Sequence, residues 1–232
     1  MTSSQNLGEI VSRIPGLQEL HIHCIDANIG SQLLAKLVNN TKLQLVELYG
    51  ANVQTISPDA FEGLARNQHL LVRLRHTKIS DLPPGIFYTL RSVPHLSIDI
   101  SHNRINALAA DSFYPNKTYW DTVGTRSIIG GLDTSYNPLE CECGLVWFGH
   151  WLRRWLRESA QIKVIQKDDM KRMVQRARAN TCHDPTTGQK LPILEIFPED
   201  LLCQASALSS SGEKLFLLSF AVIVLPVFTM SL

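Results

Sequence analysis

Val72-Arg73-Leu74-Arg75-His76-Thr77-Lys78-Ile79 is followed, 26 positions on, by Ile98-Asp99-Ile100-Ser101-His102-Asn103-Arg104-Ile105. The two stretches share one pattern, apolar at the first, third and eighth places and mostly polar between. Places one and three lie two residues apart, so on a strand their side chains leave by the same face and the intervening residues by the other. Working outward, the pattern recurs as Val46, Leu48 and Val53, and before that as Ile22, Cys24 and Ile29, a period of 24 to 26 residues. Trailing anchors recur with it: Ile56 with Ala60-Phe61, Leu82 with Ile86-Phe87, and Leu108 with Phe113. A last copy, Leu132 with Asn137 and Leu139, follows a longer interval. That interval holds Tyr114-Pro115-Asn116-Lys117-Thr118 and Gly130-Gly131, a composition expected of a loop.

Self-similarity at this period is the signature of stacked repeats. One unit cannot bury its own apolar face, so neighbours must stack on it. The pattern, L-x-x-L-x-L-x-x-N-x-L, resembles a leucine-rich repeat. It predicts an α/β fold, a solenoid with short parallel strands on its concave face and a Phe in each coil on the convex side. About five repeats fill residues 1–140. An Asn amide can bond the backbone where each coil turns away from its strand, and Asn103 and Asn137 hold that place. Ala27, Ala51 and Thr77 hold it earlier, so the first repeats are expected to be less regular.

Directly after Asn137-Pro138-Leu139-Glu140 come Cys141 and Cys143, then Cys182 and Cys203. Trp147, Trp151 and Trp155 recur at i, i+4 and i+8, which puts them on one helix face where they can close the open end of a core. Four cysteines admit three pairings. They also suit zinc, but Cys-x-Cys is not the usual Cys-x-x-Cys knuckle. Disulfides are the better reading, and they place the chain in an oxidising compartment.

The repeats together with NPLECECGLVWFGHWL resemble the extracellular leucine-rich-repeat superfamily with a cysteine-rich C-terminal cap. Slit-like ligands, Toll-type ectodomains and chaoptin-like adhesion proteins represent it. The resemblance spans about residues 17 to 203 and makes residues 141–203 the cap. It implies pairing of Cys141 with Cys182 and of Cys143 with Cys203.

The rest of the chain bears on compartment. Met1 to Glu9 lacks the basic and apolar regions of a secretory signal, so an N-terminally truncated gene model is expected. Residues 204–214 read as a polar linker, and Leu215 to Leu232 has no charged residue. This tail is either a glycosylphosphatidylinositol attachment signal or a membrane span. Ala205, Ser206, Ser209 and Ser210 are the attachment candidates. Asn39 and Asn116 lie in glycosylation sequons. Between Cys143 and Cys182 a basic stretch (residues 153–178, with Lys163, Lys167, Lys171, Arg172, Arg176 and Arg178) is longer than the family leads one to expect. It is read as a solvated helix face or a polyanion surface. Cys24, at an inward strand place, is read as a small buried apolar residue.

No phosphate loop, nucleophile elbow or His-Glu-x-x-His motif is present, so no enzyme and no cofactor or metal site is expected. A net charge of +1 argues against nucleic acid. His21-x-His23 is read as contact residues rather than metal ligands. What remains is a binding surface, the strand residues between the inward anchors. The candidates are His21, His23, Glu47, Tyr49, Arg73, Arg75, Asp99, His102 and Asp133, with Asp26, His76, Ser101 and Tyr136 beside them. Their mixed signs suit a polar protein partner. The expected function is adhesion or ligand recognition at the cell surface, toward an extracellular protein or another surface protein, with membrane attachment through a lipid or a span. The alternatives are a truncated Toll-type receptor ectodomain and a cytosolic tail-anchored scaffold.

Overall fold

The structure is a computed structural model and describes residues 9–14, 16–115, 123, 125–162, 167–201 and 203. The chain divides into two compact units, Met1–Leu202 and Cys203–Leu232. The expectations for Asn116, for Ala205, Ser206, Ser209 and Ser210, for Lys163 and for the apolar tail lie outside the described residues. Among the described residues no helix is long and apolar enough to cross a membrane.

The fold is α/β. Five strands, β1 (Glu19–His23), β3 (Leu45–Tyr49), β5 (His69–Arg75), β6 (His95–Asp99) and β7 (Gly131–Asp133), form one sheet in chain order. Every pairing in it is parallel. Behind it β2 (Asn28–Ile29) pairs with β4 (Thr55–Ile56), also parallel. The period seen in the sequence becomes a register: Leu20, Val46, Val72, Ile98 and Leu132 stand opposite one another across the sheet. Val46, Leu48, Val72, Leu74, Ile98 and Ile100 are at most 1% exposed, because each points into the layer behind the strands.

The first copy is placed differently from its sequence reading. Leu20 and Ile22, not Ile22 and Cys24, face Val46 and Leu48. A slip of two residues keeps the same face inward, so alternation alone cannot detect it. Ile29 accordingly pairs with Ile56 rather than standing at the place of Val53. Cys24 falls just past β1, half-buried, with its N–H donating to Tyr49 O at 2.7 Å.

Behind the sheet Phe61, Phe87 and Phe113 stack with centroids 5.5 and 5.1 Å apart, and the column continues to Trp147 at 5.7 Å. Each of the three phenylalanines is at most 2% exposed, and burial of one such side chain contributes about 1.5–3 kcal/mol. Asparagines tie the coils. Asn103 Nδ2 donates to Leu74 O and Ile100 O, and its Oδ1 accepts from the Thr77 N–H and hydroxyl. Asn137 repeats the arrangement one coil on, with Ile100 O, Thr134 O and the Ile105 N–H.

The ladder gains a third rung that the sequence reading did not include. Asn180 Oδ1 accepts from the Thr134 N–H and hydroxyl at 2.6 and 2.9 Å, while its amide donates to Arg176 O at 2.9 Å. Asn180 follows two helices, α1 (Val146–Ile162) and α2 (Lys167–Ala179). The three tryptophans of α1 are buried, as their shared face requires. Their Nε1 groups donate to Leu108 O, Tyr114 Oη and Ile129 O at 2.7 to 2.9 Å. The segment ends in an antiparallel pair, β8 (Thr181–His183) with β9 (Lys190–Pro192).

Cys141 and Cys182 form a disulfide with Cα atoms 5.1 Å apart. Cys143 and Cys203 are each disulfide-bonded as well, and Cys24 is the free thiol.

Gly130 and Gly131, expected in a loop, instead lead into and begin β7. The reason is space. A Cβ on Gly130 would lie 1.8 Å from Ser97 Oγ, and one on Gly131, which has φ +100°, would lie 2.8 Å from the Trp155 ring. Only glycine lets the backbone come this close.

Candidate functional site

The strand positions between the inward anchors form rows across the sheet. His21, Glu47, Arg73, Asp99 and Asp133 are in register as one row, and His23, Tyr49 and Arg75 as the next. All nine candidates except His102 therefore stand on strands of one sheet, and His102 lies just beyond β6.

The charges on this face are paired with one another. His21 Nδ1 lies 2.6 Å from Glu47 Oε2 and donates to it when it carries the proton. Arg75 reaches diagonally to Glu47 Oε1, its Nε donating at 3.0 Å and its Nη2 also bonded there. Arg73 Nε stands 3.5 Å and Arg75 Nη1 3.8 Å from Asp99 Oδ2. The other Asp99 oxygen accepts from the Ser101 N–H and hydroxyl. Asp133 repeats part of this, accepting from the Ser135 N–H at 2.9 Å.

Glu47 departs from its sequence reading as an exposed contact residue, since its side chain is only 11% exposed. Burial alone would raise its carboxyl. Hydrogen bonds from Arg75 and His21, with the charges behind them, outweigh that and hold it below its ordinary value. A depressed carboxyl contributes stability that is complete above the ordinary value of 4.5 and is lost as pH falls through the folded-state value. Glu47→Gln is therefore expected to destabilise the fold by about 1–3 kcal/mol at pH 7, since Arg75 loses its charged acceptor. Urea unfolding at pH 7 and at pH 3 checks this, and the gap between variant and parent should narrow at the lower pH.

Along one edge of the polar rows runs a ladder of rings. His23 stacks on Tyr49 at 5.1 Å, and His76, His102 and Tyr136 stack in series at 4.7 and 4.2 Å. These last three have φ of 55°, 57° and 58°, the left-handed region that side-chain-bearing residues seldom occupy. Tyr136 ends the series 72% exposed. The sequence reading treated these residues singly. Their stacking follows from the register, because His23 and Tyr49 share one place in their coils, and His76, His102 and Tyr136 share the next.

Where β5, β6 and β7 meet α1 and α2 lies a cleft of about 190 Å³. Arg73, Ser97, Asp99, Asp133, Trp155 and Arg176 line it, over a floor that includes Gly130 and Gly131. Arg176 had been visible only as one charge in a basic stretch. Of that stretch, Arg153 is a structural residue. Its Nη1 donates to Leu194 O and Ile196 O, and its guanidinium lies 4.3 Å over the Phe197 ring.

Asn39 is exposed at the end of a 3-10 turn, Lys36–Asn39, while Asn40 beside it is buried with its amide donating to Val11 O and Ile14 O. Among the described residues no cluster of three or more His, Cys, Asp or Glu side chains could hold a metal ion. The chain matches no protein-family model, and no curated protein matches it.

Proposed function

We propose that this chain is a leucine-rich-repeat solenoid with a disulfide-bonded C-terminal cap, serving as an extracellular module that recognises a protein partner through the open face of its sheet. The observation that carries the reading is the in-register row His21, Glu47, Arg73, Asp99 and Asp133, flanked by stacked rings ending in Tyr136. The row carries both signs, with His21 against Glu47 and Arg73 against Asp99 and a second carboxylate, Asp133, at its end, so much of its charge is positioned before binding. That favours specificity toward a polar partner surface. Aromatic rings at the edge offer contact area at low entropic cost.

The disulfides support a secretory route. Pairing of Cys143 with Cys203, glycosylation at Asn39 and Asn116, and a lipid tether at the C-terminus belong to the same proposal. Release of the surface-displayed chain by a phosphatidylinositol-specific phospholipase supports the tether, and retention beside a released control argues against it.

The recognition reading is tested by binding of the secreted chain to a panel of purified extracellular proteins. For a partner so found, Arg73→Glu and Tyr136→Ala are each expected to weaken binding about tenfold or more, as hot-spot residues do. Arg66→Glu, on an exposed residue outside the sheet, should leave it unchanged. Sensitivity to Arg66 but not to the face residues contradicts the reading.

A further inference from the structure

We infer that the cleft at the α1–α2 end of the sheet is a receptor for a carboxylate, an acidic side chain of the protein partner, seated between Arg73 and Arg176. The inference rests on the recognition reading above and says what the face grips.

The donors in the cleft outnumber its acceptors. A guanidinium carries five N–H donors. Arg73 Nε is enclosed and hydrogen-bonded to nothing, with Asp99 Oδ2 at 3.5 Å as its nearest charged neighbour. The Arg176 guanidinium has neither hydrogen bond nor ion pair among the described residues, and its side chain is exposed at the rim. Asp99 is already committed to Ser101 and to two arginines. Asp133 gives one oxygen to the Ser135 N–H. That enclosed nitrogen has lost its water partners and gained no acceptor, so Arg73 is left short of acceptors on a side chain that is still 31% exposed.

The shape and the anions narrow the class. At ~30 Å³ per water the cleft has room for roughly six waters, the scale of one side chain. Two guanidinium groups match a planar carboxylate, which each can hold by paired N–H donors. Asp99 and Asp133 on the sheet wall repel a dianion, so a singly charged carboxylate is favoured over a phosphate. The Trp155 ring, fixed by its bond to Ile129 O, closes the inner side and gives a side-chain stem an apolar wall. The two glycines let Ser97 and the Trp155 ring pack directly on the backbone that lines the pocket.

The test is an NMR titration of the full chain with N-acetyl-glutamate α-amide, whose only charge is the side-chain carboxylate. The expected result is a saturable shift of the Arg73 Nε–H, the Trp155 indole N–H and the Gly130 and Gly131 amides. Arg176→Gln should weaken it about tenfold, as loss of a charge-assisted bond does. Lys171→Gln makes the same charge change on α2 away from the cleft and should leave it intact. N-acetyl-glutamine amide should not bind. Equal shifts with the glutamine probe, tighter binding of inorganic phosphate, equal sensitivity to Lys171 and Arg176, or no saturable shift would each overturn the inference. None of these outcomes depends on a partner having been found. If the probe binds but no partner uses the face, the recognition reading fails alone.

Discussion

Trp151→Ala is expected to lower the stability of the fold by about 3–5 kcal/mol, the range for emptying a large buried aromatic site. Trp151 is wholly buried in α1, its ring parallel to that of Trp155 with centroids 6.1 Å apart and tilted on Phe148 at 6.1 Å. It also donates from Nε1 to Tyr114 Oη at 2.7 Å. Tyr114 is itself 1% exposed, and burial raises its hydroxyl above the ordinary value, so its oxygen depends on protein partners. Truncation thus opens a cavity and removes a donor from a buried hydroxyl at once. Trp151→Phe separates the two effects. It keeps most of the packing, loses the N–H, and is expected to cost about 1–3 kcal/mol. Urea unfolding followed by circular dichroism measures both. An alanine variant as stable as the parent would mean that α1 does not close the core.

Replacement of Cys141 and Cys182 together by alanine is expected to cost about 4 kcal/mol. The two cysteines are 41 residues apart, and a closed loop of that length removes roughly this much free energy from the unfolded chain in the entropy model. Both are buried, Cys182 completely, so the alanines also leave small voids that add to the cost. The segment they enclose contains α1, α2 and Asn180, and hence the third rung of the asparagine ladder. Loss of the bridge should therefore raise amide exchange at Thr134 and Asn180 more than in β3 or β5. Uniform exchange across the sheet would show that the bridge constrains the whole unit rather than its C-terminal end.

How much of this was readable in advance depends on what each position is asked to do. Inward strand positions must be apolar or the sheet cannot be covered, so Val46, Leu48, Val72, Leu74, Ile98 and Ile100 announced themselves by period. Spacing alone places the first copy two residues out of register, because Leu20-x-Ile22 and Ile22-x-Cys24 alternate equally well. Only cross-strand pairing decides between them. Asn180 carried no signal by spacing, since two helices separate it from Asn137 and its role depends on how they dock. Glu47 looked like any outward strand residue. Its burial comes from Arg75 reaching across on a diagonal, which no single-strand pattern encodes. The cleft was hidden for the same reason. Arg73 and Asp133 come from strands whose order was legible, but Trp155 and Arg176 enter from helices that the repeat does not describe.

The proposed extracellular recognition requires that the cysteines closing the unit be oxidised in the cell. The most direct measurement is a count of reactive thiols in the protein taken from its own cells, with thiols blocked at lysis and the chain then denatured and analysed by mass. Of five cysteines, one alkylated residue, Cys24, is the predicted result, with Cys141 linked to Cys182 in the non-reduced peptide map. Alkylation of all five would contradict the account and favour a cytosolic scaffold.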